Sequence, residues 1–358
     1  MRESADVHVV VGGQFGSEGK GAVAAALVER YYSEGVQAMS VRVGGPNAGH
    51  TAYDYDGRKW ALRQVPVGVV KNTAGPLFIA AGSEIDVDVL RDEVNALEEA
   101  GHEVRSRLFI DKQATVIENI DKETEAAGGF TGKFGSTAKG IGASRARRLR
   151  REAPLAGDYA HALDKLGFIT VSTGLFMTAL AETHGTPIVI EGTQGYGLGL
   201  HAGWYPYCTA GDVRVCDALA QVGIHAHHPA IDRIEPWVVL RAFPIRVAGN
   251  SGPMANETTW QDLGLPEEKT TVTQLVRRVG EWDQRLANAA IEANGRAVNV
   301  AITMADQLDP TLAGLTDVEQ LDGCQVANDW LVDIMDKWPE SAKLAYIGTG
   351  PDTQMWLY

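Results

Sequence analysis

Cysteine, basic residues and long apolar runs are all scarce in this chain of 358 residues. Its three cysteines have no C-x-x-C spacing, so we expect free thiols in a reducing compartment and neither a disulfide framework nor a zinc site. No run of about 18 apolar residues occurs, which predicts that no helix crosses a membrane. Glu3 and Asp6 stand where a signal peptide would have a basic start, so we expect a cytoplasmic protein.

The charge balance is acidic, with 32 Lys and Arg against 46 Asp and Glu and a net charge of -14. A surface that binds nucleic acid should be basic, so nucleic acid is not an expected partner. Small phosphorylated substrates are compatible with this charge, because a local cluster of donors can bind phosphate inside an acidic protein.

Short aliphatic runs alternate with helical patterns along the chain. Strands are predicted at residues 7–11, 40–43, 77–80, 187–190, 237–240, 298–302 and 344–347, a hairpin at 53–62, helices at 22–32 and about 86–100, and long functional loops at 130–143, 195–212 and 248–273. This alternation predicts one α/β domain over residues 1–358, with a mostly parallel central sheet and flanking helices. Ligands bind beyond the carboxyl ends of such strands, and Gly-rich segments follow Val11, Val43, Ile190 and Ile347.

The strongest single motif is GGQFGSEGKG at residues 12–21, which follows a predicted strand and begins a predicted helix. Its glycines let backbone N–H groups approach a phosphate, the helix N-terminus adds partial positive charge, and Lys20 adds a full charge. Gly21 stands where a Walker A motif has Ser or Thr, so the segment is not that motif. A tight turn with a surface lysine is the plainer alternative, but this density of glycine favours a P-loop-like phosphate-binding loop.

Two further segments are weak evidence when each is taken alone. His50, in GGPNAGHT at residues 44–51, could donate to developing negative charge or could be an ordinary polar residue. Gln194, in EGTQG at residues 191–195, could bind a purine edge through its amide. The aromatic segment WYPYCT at residues 204–209 follows it, and both could equally be turns packed for stability.

Segments that combine hydroxyl groups with arginines are the next candidates. STAKGIG at residues 136–142 precedes five arginines between residues 145 and 151; most should be solvated, and one or two should reach a phosphate. TTVTQLVRR at residues 270–278 would suit a dicarboxylate such as aspartate, although a turn with surface arginines explains it better when taken alone. GTGP at 348–351 and TMAD at 303–306 each follow a strand and could hold a nucleotide base.

Taken in order, these segments resemble the adenylosuccinate synthetase family over almost the whole chain. The family's motifs G-x-Q-W-G-D-E-G-K-G, G-G-x-N-A-G-H-T, E-G-x-Q-G, Y-P-Y-x-T and S/G-T-G-P have close counterparts here in the same order, so the joint pattern is specific. The resemblance implies an adenylosuccinate synthetase-like fold and a ligase that joins L-aspartate to C6 of a purine monophosphate. A nucleoside triphosphate would drive the reaction, and Mg2+ would be the cofactor.

The resemblance also implies a role for each matching residue. The triphosphate would be bound by Gly13, Gln14, Gly16, Glu18, Gly19, Lys20, Gly21, Gly49, Thr51, Asp306, Gly348 and Gly350. The monophosphate would be bound by Ser17, Asn47, Ser136, Thr137, Gln194, Thr209 and an arginine of a second subunit, Arg151 or else Arg150, which implies a homodimer. Aspartate would be bound by Thr271, Val272, Thr273, Arg277 and Arg278. Ser17, His50 and Gln194 would act in catalysis, and Ser17 and the Gly49 carbonyl would bind Mg2+.

Three positions depart from the family pattern. Ser17 replaces the family's catalytic aspartate, and a hydroxyl is no base near neutral pH. Met304 replaces a lysine that covers the donor's guanine, and Leu275 and Val276 stand where the family has arginines. The change from aspartate to serine is similar to a phage branch of the family that takes dGMP and makes the precursor of 2-aminoadenine DNA.

Three functions therefore remain open from the sequence. The first is a ligase that uses dGMP with ATP or dATP, as the phage branch does. The second is an ordinary synthetase that uses IMP and GTP, against which Ser17 and Met304 argue. The third is an inactive nucleotide-binding protein, because the loss of a catalytic aspartate is typical of one, although Lys20, His50 and Gln194 are retained.

Overall fold

The fold is built from strands and helices that alternate along the computed structural model, which describes residues 3–270 and 274–357. The strands are β1 (Ala5–Gly12), β2 (Met39–Arg42), β3 (His50–Tyr53), β4 (Lys59–Leu62), β5 (Leu77–Ile79), β6 (Glu84–Ile85), β7 (Leu108–Asp111), β8 (Thr115–Val116), β9 (Ile169–Val171), β10 (Ile188–Glu191), β11 (Ile231–Arg241), β12 (Ile245–Arg246), β13 (Glu257–Thr258), β14 (Arg278–Gly280), β15 (Val298–Thr303), β16 (Ala342–Gly350) and β17 (Thr353–Trp356). The helices are α1 (Lys20–Ser33), α2 (Val87–Glu99), α3 (Asn119–Ala127), α4 (Phe130–Phe134), α5 (Ile141–Arg150), α6 (Ala160–Lys165), α7 (Thr173–His184), α8 (Val215–Val222), α9 (Gln284–Glu292) and α10 (Gln325–Met335).

One large sheet has the order β17-β16-β15-β11-β1-β10-β2-β5-β7-β9. All of its neighbouring strands are parallel except β17, which pairs antiparallel with β16. The predicted α/β fold with a mostly parallel central sheet is therefore confirmed.

Apolar packing covers both faces of this sheet, as β1 illustrates. Val7, Val9 and Val11 enter the hydrophobic core on one face, while Val10 enters the core on the other. Successive side chains of a strand point to opposite faces, so a strand buried on both sides needs a nearly continuous apolar run. That requirement explains why the predicted strands appear in the sequence as short uninterrupted runs of valine, isoleucine and leucine.

The hairpin and one long loop differ from the sequence-based prediction. The first arm of the hairpin begins at His50, which pairs opposite Leu62, so His50 lies on a strand and not in a flexible loop. The prediction of a structureless loop at 130–143 is wrong, because it contains α4 and the start of α5. The buried Glu125 carboxylate accepts from the N–H groups of Gly140 and Gly142 at 2.8 and 2.7 Å and so fixes that start.

The cysteines and the helices agree with two other expectations. Cys208, Cys216 and Cys324 are all free thiols. Within residues 3–270 and 274–357, every helix is too short or too polar to span a lipid bilayer.

Parallel strands bring the polar segments of the sequence to one edge of the sheet. Among the strands that end there are β1 before the glycine-rich loop, β10 at Glu191, β2 at Arg42, β15 at Thr303 and β16 at Gly350. The candidate site is built on this edge.

Candidate active site

The donors of the glycine-rich loop between β1 and α1 bind the side chain of Glu18, a residue of the same loop. Glu18 is fully buried, and its Oε1 accepts from the N–H groups of Gln14 and Gly16 at 3.1 and 2.7 Å. Lys20 Nζ donates to the other oxygen at 2.6 Å. Backbone N–H groups and a lysine are the donors that phosphate-binding loops present. The loop, which also contains Gly13 and Gly19, is thus organised around an anionic group, while Glu18 faces inward and not toward solvent.

Neighbouring strands hold the glycine-rich loop in place. The Gln14 side-chain amide donates to the Arg241 carbonyl at 3.1 Å, and its oxygen accepts from the Arg241 N–H at 3.1 Å. Thr303 Oγ1 donates to the carbonyl of Glu18 at 2.5 Å. A Cβ at Gly21 would lie 2.9 Å from both His50 Cβ and the Thr51 carbonyl oxygen, so glycine is needed for α1 to approach β3 this closely.

His50 belongs to a buried cluster with Arg42 and Glu191. Its Nδ1 contacts both Glu191 Oε1 and Arg42 Nη1. Arg42 Nη1 donates to Glu191 Oε1 at 2.8 Å, and the Val67 N–H donates to Glu191 Oε2 at 3.0 Å. The sequence analysis missed Arg42 and Glu191, although both directly end strands that lead into the motifs.

The electrostatic environment keeps His50 neutral. Burial and the Arg42 guanidinium lower the pKa of His50 to about 4, and the Glu191 carboxylate opposes them only in part. A neutral imidazole carries one N–H. Nδ1 can accept from Arg42 or donate to Glu191 Oε1, and the tautomer that accepts there carries its N–H on Nε2, where it can be donated to developing negative charge.

A cleft brings together three of the residues that the sequence analysis assigned to the monophosphate, namely Asn47, Gln194 and Thr209. We call it the Asn47–Thr209 cleft. Asp212 also lines it, and so does Arg145, one of the five arginines of which one or two were expected to reach a phosphate. Gln194 has a left-handed backbone with φ of 62°, on the turn that follows β10. The Asn47–Thr209 cleft can therefore offer amide, hydroxyl and guanidinium donors to one ligand.

The other residues assigned to the monophosphate lie off this cleft. Ser136 and Thr137 are half-buried between α4 and α5, and Ser136 Oγ accepts from the Ala138 N–H at 3.2 Å. Arg150 and Arg151 are exposed at the end of α5, and Arg150 pairs with Glu152 at 2.9 Å. Neither arginine lines the Asn47–Thr209 cleft of its own subunit.

Ser17 is exposed and meets one of the two arginines assigned to aspartate. Arg277 Nη1 donates to Ser17 Oγ at 3.0 Å. Arg278 points elsewhere, pairing with Glu257 at 2.5 Å and donating to the Gly252 carbonyl at 2.7 Å. The candidates Thr271, Val272 and Thr273 lie outside the described residues.

The segments assigned to the donor base are adjacent in space. A Cβ at Gly348 would lie 3.3 Å from Thr303 Cα and 3.6 Å from Met304 N. Asp306 is half-buried without a side-chain partner among the described residues, and burial raises the pKa of its carboxyl group. Gly350 lines a separate pocket with Ala22 and Tyr53. A base placed between β15 and β16 would meet the free carboxyl group of Asp306.

Few protein groups in this site are suited to bind Mg2+. No group of three or more His, Cys, Asp or Glu side chains is arranged to hold a metal within the described part of the chain. Ser17 Oγ already faces the Arg277 guanidinium, whereas Gly49 is exposed. Mg2+ commonly keeps most of its oxygen ligands from waters and substrate phosphates, so the Gly49 carbonyl fits such an ion better than Ser17 does.

The glycine-rich loop at the end of β1, the histidine cluster and the Asn47–Thr209 cleft together define an α/β enzyme for phosphorylated ligands. Comparison with known proteins agrees: the family model for adenylosuccinate synthetase matches residues 9–168 and 154–313. The chain belongs to the adenylosuccinate synthetase family, and it is a carbon–nitrogen ligase.

Both sequence relatives and solved structures support this assignment. The chain is 35% identical to the adenylosuccinate synthetases of Pyrococcus sp. (strain ST700) and Thermococcus sibiricus, in each case over 97% of this chain and 96% of the relative. A succinoaminodeoxyadenylate synthetase of cyanophage S-2L, solved with dGMP and with dATP as an energy donor, superimposes with a TM-score of 0.80 at 31% identity, covering 97% of this chain and 93% of that one. The fully ligated Plasmodium falciparum adenylosuccinate synthetase, at 20% identity and a TM-score of 0.79 over 98% of this chain and 99% of that one, shows the same fold.

Proposed function

We propose that this ligase joins L-aspartate to C6 of dGMP with ATP or dATP as the phosphoryl donor. The product would be N6-succino-2-amino-2'-deoxyadenylate, the precursor of 2-aminoadenine in DNA. The observation that carries the proposal is Ser17, which replaces an aspartate in an otherwise family-like loop and accepts a hydrogen bond from Arg277 at 3.0 Å. The cyanophage S-2L relative, which was solved with dGMP and dATP, supports the same reading.

The reaction has two steps that balance. The 6-oxygen of dGMP attacks the γ-phosphorus, the bond to the β-phosphate oxygen breaks, the N1 proton passes to solvent, and ADP or dADP departs. The amine of aspartate then attacks C6, and the 6-oxygen leaves with phosphate while the amine loses a proton. A carbonyl oxygen is a poor leaving group and its phosphate ester a good one, so catalysis consists mainly of positioning and charge stabilisation.

The residues of the site have the chemistry that these steps require. Lys20 and the N–H groups of the glycine-rich loop would bind the triphosphate in place of Glu18. His50 would donate from Nε2 to the phosphoryl group in transfer, and Gln194 would orient the 6-oxygen of the purine. The Gly49 carbonyl and the substrate phosphates would hold Mg2+, whose charge neutralises the phosphoryl oxygens.

Ser17 and Arg277 would replace the family's aspartate by a different kind of contact. Because Ser17 Oγ accepts from Arg277, its hydroxyl hydrogen is free to be donated to the purine. An ionised aspartate at this position could only accept, so the exchange removes a negative charge and changes the hydrogen bonding available to the purine. Arg277 would also hold a carboxylate of aspartate, while Arg278, paired with Glu257, would support the loop.

We also propose the setting in which the enzyme works. It would be phage-encoded, would act in the host cytoplasm, and would form a homodimer in which Arg151 reaches the monophosphate site of the neighbouring subunit. The exposed position of Arg151 at the end of α5 is compatible with such a reach.

An ordinary synthetase that uses IMP and GTP is the second candidate. Two observations favour it: the sequence relatives named above are adenylosuccinate synthetases, and Asp306 keeps a free carboxyl group where guanine could be bound. The two candidates differ in the monophosphate they accept and in the donor they prefer.

One assay separates the candidates. The purified protein is given Mg2+, L-aspartate and a donor (ATP, dATP or GTP) together with dGMP, GMP, IMP or AMP, and the products are identified by mass. We expect a succinylated 2-amino-deoxyadenylate from dGMP, together with release of phosphate. Product from IMP but not from dGMP or GMP would establish the second candidate, and no product from any monophosphate would contradict both.

A further inference from the structure

Arg145 is the one positively charged side chain among the described residues that line the Asn47–Thr209 cleft. It lies in α5, and its Nε and Nη2 donate to the two carboxylate oxygens of the buried Glu84 at 2.5 and 3.1 Å. Its Nη1 has no hydrogen-bond partner among the described residues. We propose that Arg145 binds the 5'-phosphate of the monophosphate substrate from within the same subunit, an inference that rests on the proposed function.

The backbone around Gly211 supports this role. A Cβ at Gly211 would lie 2.3 Å from Arg145 Nη1. The backbone of Gly211 is not left-handed, so its conformation does not require glycine. Glycine is needed here because any side chain would collide with the Arg145 guanidinium. Gly211 lies between Thr209 and Asp212, both of which line the Asn47–Thr209 cleft. The free end of Arg145 is therefore directed at the segment that carries a predicted phosphate ligand.

A phosphate bound in this cleft needs a cation beside it, and Arg145 is the one available among the described residues of the lining. Asp212 lies on the cleft wall, and although burial opposes its ionisation, hydrogen bonds from His201 lower its pKa, so it is ionised near neutral pH. Asn47 and Thr209 supply neutral donors, which do not offset the charge of a phosphate dianion. Glu84 neutralises part of the Arg145 charge but fixes the planar guanidinium, and a fixed guanidinium binds phosphate through charge-assisted hydrogen bonds.

The other arginines of α5 pair with groups outside the Asn47–Thr209 cleft. Arg147 pairs with Glu118 and Asp121 at 2.9 and 3.1 Å, and Arg148 donates to the Gln113 carbonyl at 2.5 Å. Arg151 lies six residues beyond Arg145, roughly 9 Å further along the helix axis. An Arg151 that reaches a neighbouring subunit would add to Arg145 and would not replace it.

Binding of a nucleotide and its nucleoside tests the proposal. Because removing Arg145 alone would leave Glu84 buried and unpaired, the variant is the double substitution Arg145→Met with Glu84→Gln. Calorimetry should show that dGMP binds about 10- to 100-fold more weakly to this variant, the loss typical of a hydrogen bond to a charged group. Affinity for deoxyguanosine and for the triphosphate donor should be unchanged. Glu84→Gln alone, which keeps the guanidinium, should lose much less affinity for dGMP.

Arg148→Met is the matched control, because Arg148 lies on the same helix and outside the Asn47–Thr209 cleft. It should bind dGMP as the unaltered protein does. Equal losses for dGMP and deoxyguanosine, or no loss for dGMP, in the Arg145 variant would overturn the proposal. If the unaltered protein binds IMP and not dGMP, the proposed function fails, and the same comparison made with IMP and inosine still decides the role of Arg145.

Discussion

Replacing His50 by asparagine should remove a pH dependence of stability that the buried imidazole creates. In the folded protein the pKa of His50 is lowered to about 4 by burial and by Arg42, against 6.5 for an ordinary histidine. Between these two pH values the unfolded chain binds a proton at this site and the folded chain does not. Stability is therefore unaffected above about pH 6.5 and falls as the pH is lowered toward 4.

The size of the effect follows from the two pKa values. Each pH unit over which only the unfolded state is protonated changes the free energy of unfolding by about 1.4 kcal/mol. Lowering the pH from 7 to 5 crosses about one and a half such units, from 6.5 to 5. His50 should therefore lower the free energy of unfolding by about 2 kcal/mol over this change of pH. Burial opposes ionisation of Glu191, yet the Arg42 guanidinium and the hydrogen bond from the Val67 N–H lower its pKa, so the carboxylate stays ionised over this range.

The assay is urea unfolding at pH 7 and pH 5, followed by circular dichroism. The difference in unfolding free energy between the native chain and His50→Asn should change by about 2 kcal/mol between the two pH values, because asparagine does not titrate. If His50→Asn keeps the full pH dependence of the native chain, the neutral, buried imidazole is contradicted.

Three further results are expected. Replacement of His50 or Gln194 by alanine should lower kcat about 100- to 1000-fold while nucleotide binding changes little, since a transition-state donor is lost; near-full turnover would contradict the assigned roles. ATP and dATP should be used at least as well as GTP, because a methionine such as Met304 can pack on any purine and Asp306 can accept from the adenine amino group. A kcat/KM for GTP that is tenfold higher, about 1.4 kcal/mol, would identify Asp306 as a guanine selector. Ser17→Asp should raise turnover of IMP relative to dGMP, and an unchanged preference would show that Ser17 is not the determinant.

The architecture was predictable because it depends on local apolar runs. A strand such as β1 is buried on both faces, so its valines occur without interruption and are visible in the sequence. The glycine-rich loop was visible for the same reason, since all of its parts lie within ten residues. The gathering of the loops at one edge of the sheet then follows from the parallel arrangement of the strands.

Contacts between distant residues were not predictable in this way. Glu191 orients His50 from 141 residues away, and Glu84 orients Arg145 from 61 residues away. Nothing in the local pattern distinguishes such a buried carboxylate from a surface one. The arginine run shows the same difficulty, because the sequence analysis selected Arg150 and Arg151 from similarity, whereas burial and pairing bring Arg145 to the Asn47–Thr209 cleft.

The most direct test of the ligase mechanism follows the 6-oxygen of dGMP. Substrate labelled with oxygen-18 at that position is incubated with the enzyme, Mg2+, L-aspartate and ATP, and both products are analysed by mass spectrometry. The account predicts that the released phosphate carries the label and that the succinylated nucleotide does not. Unlabelled phosphate, or phosphate released without any succinylated nucleotide, would contradict phosphoryl transfer to the purine oxygen.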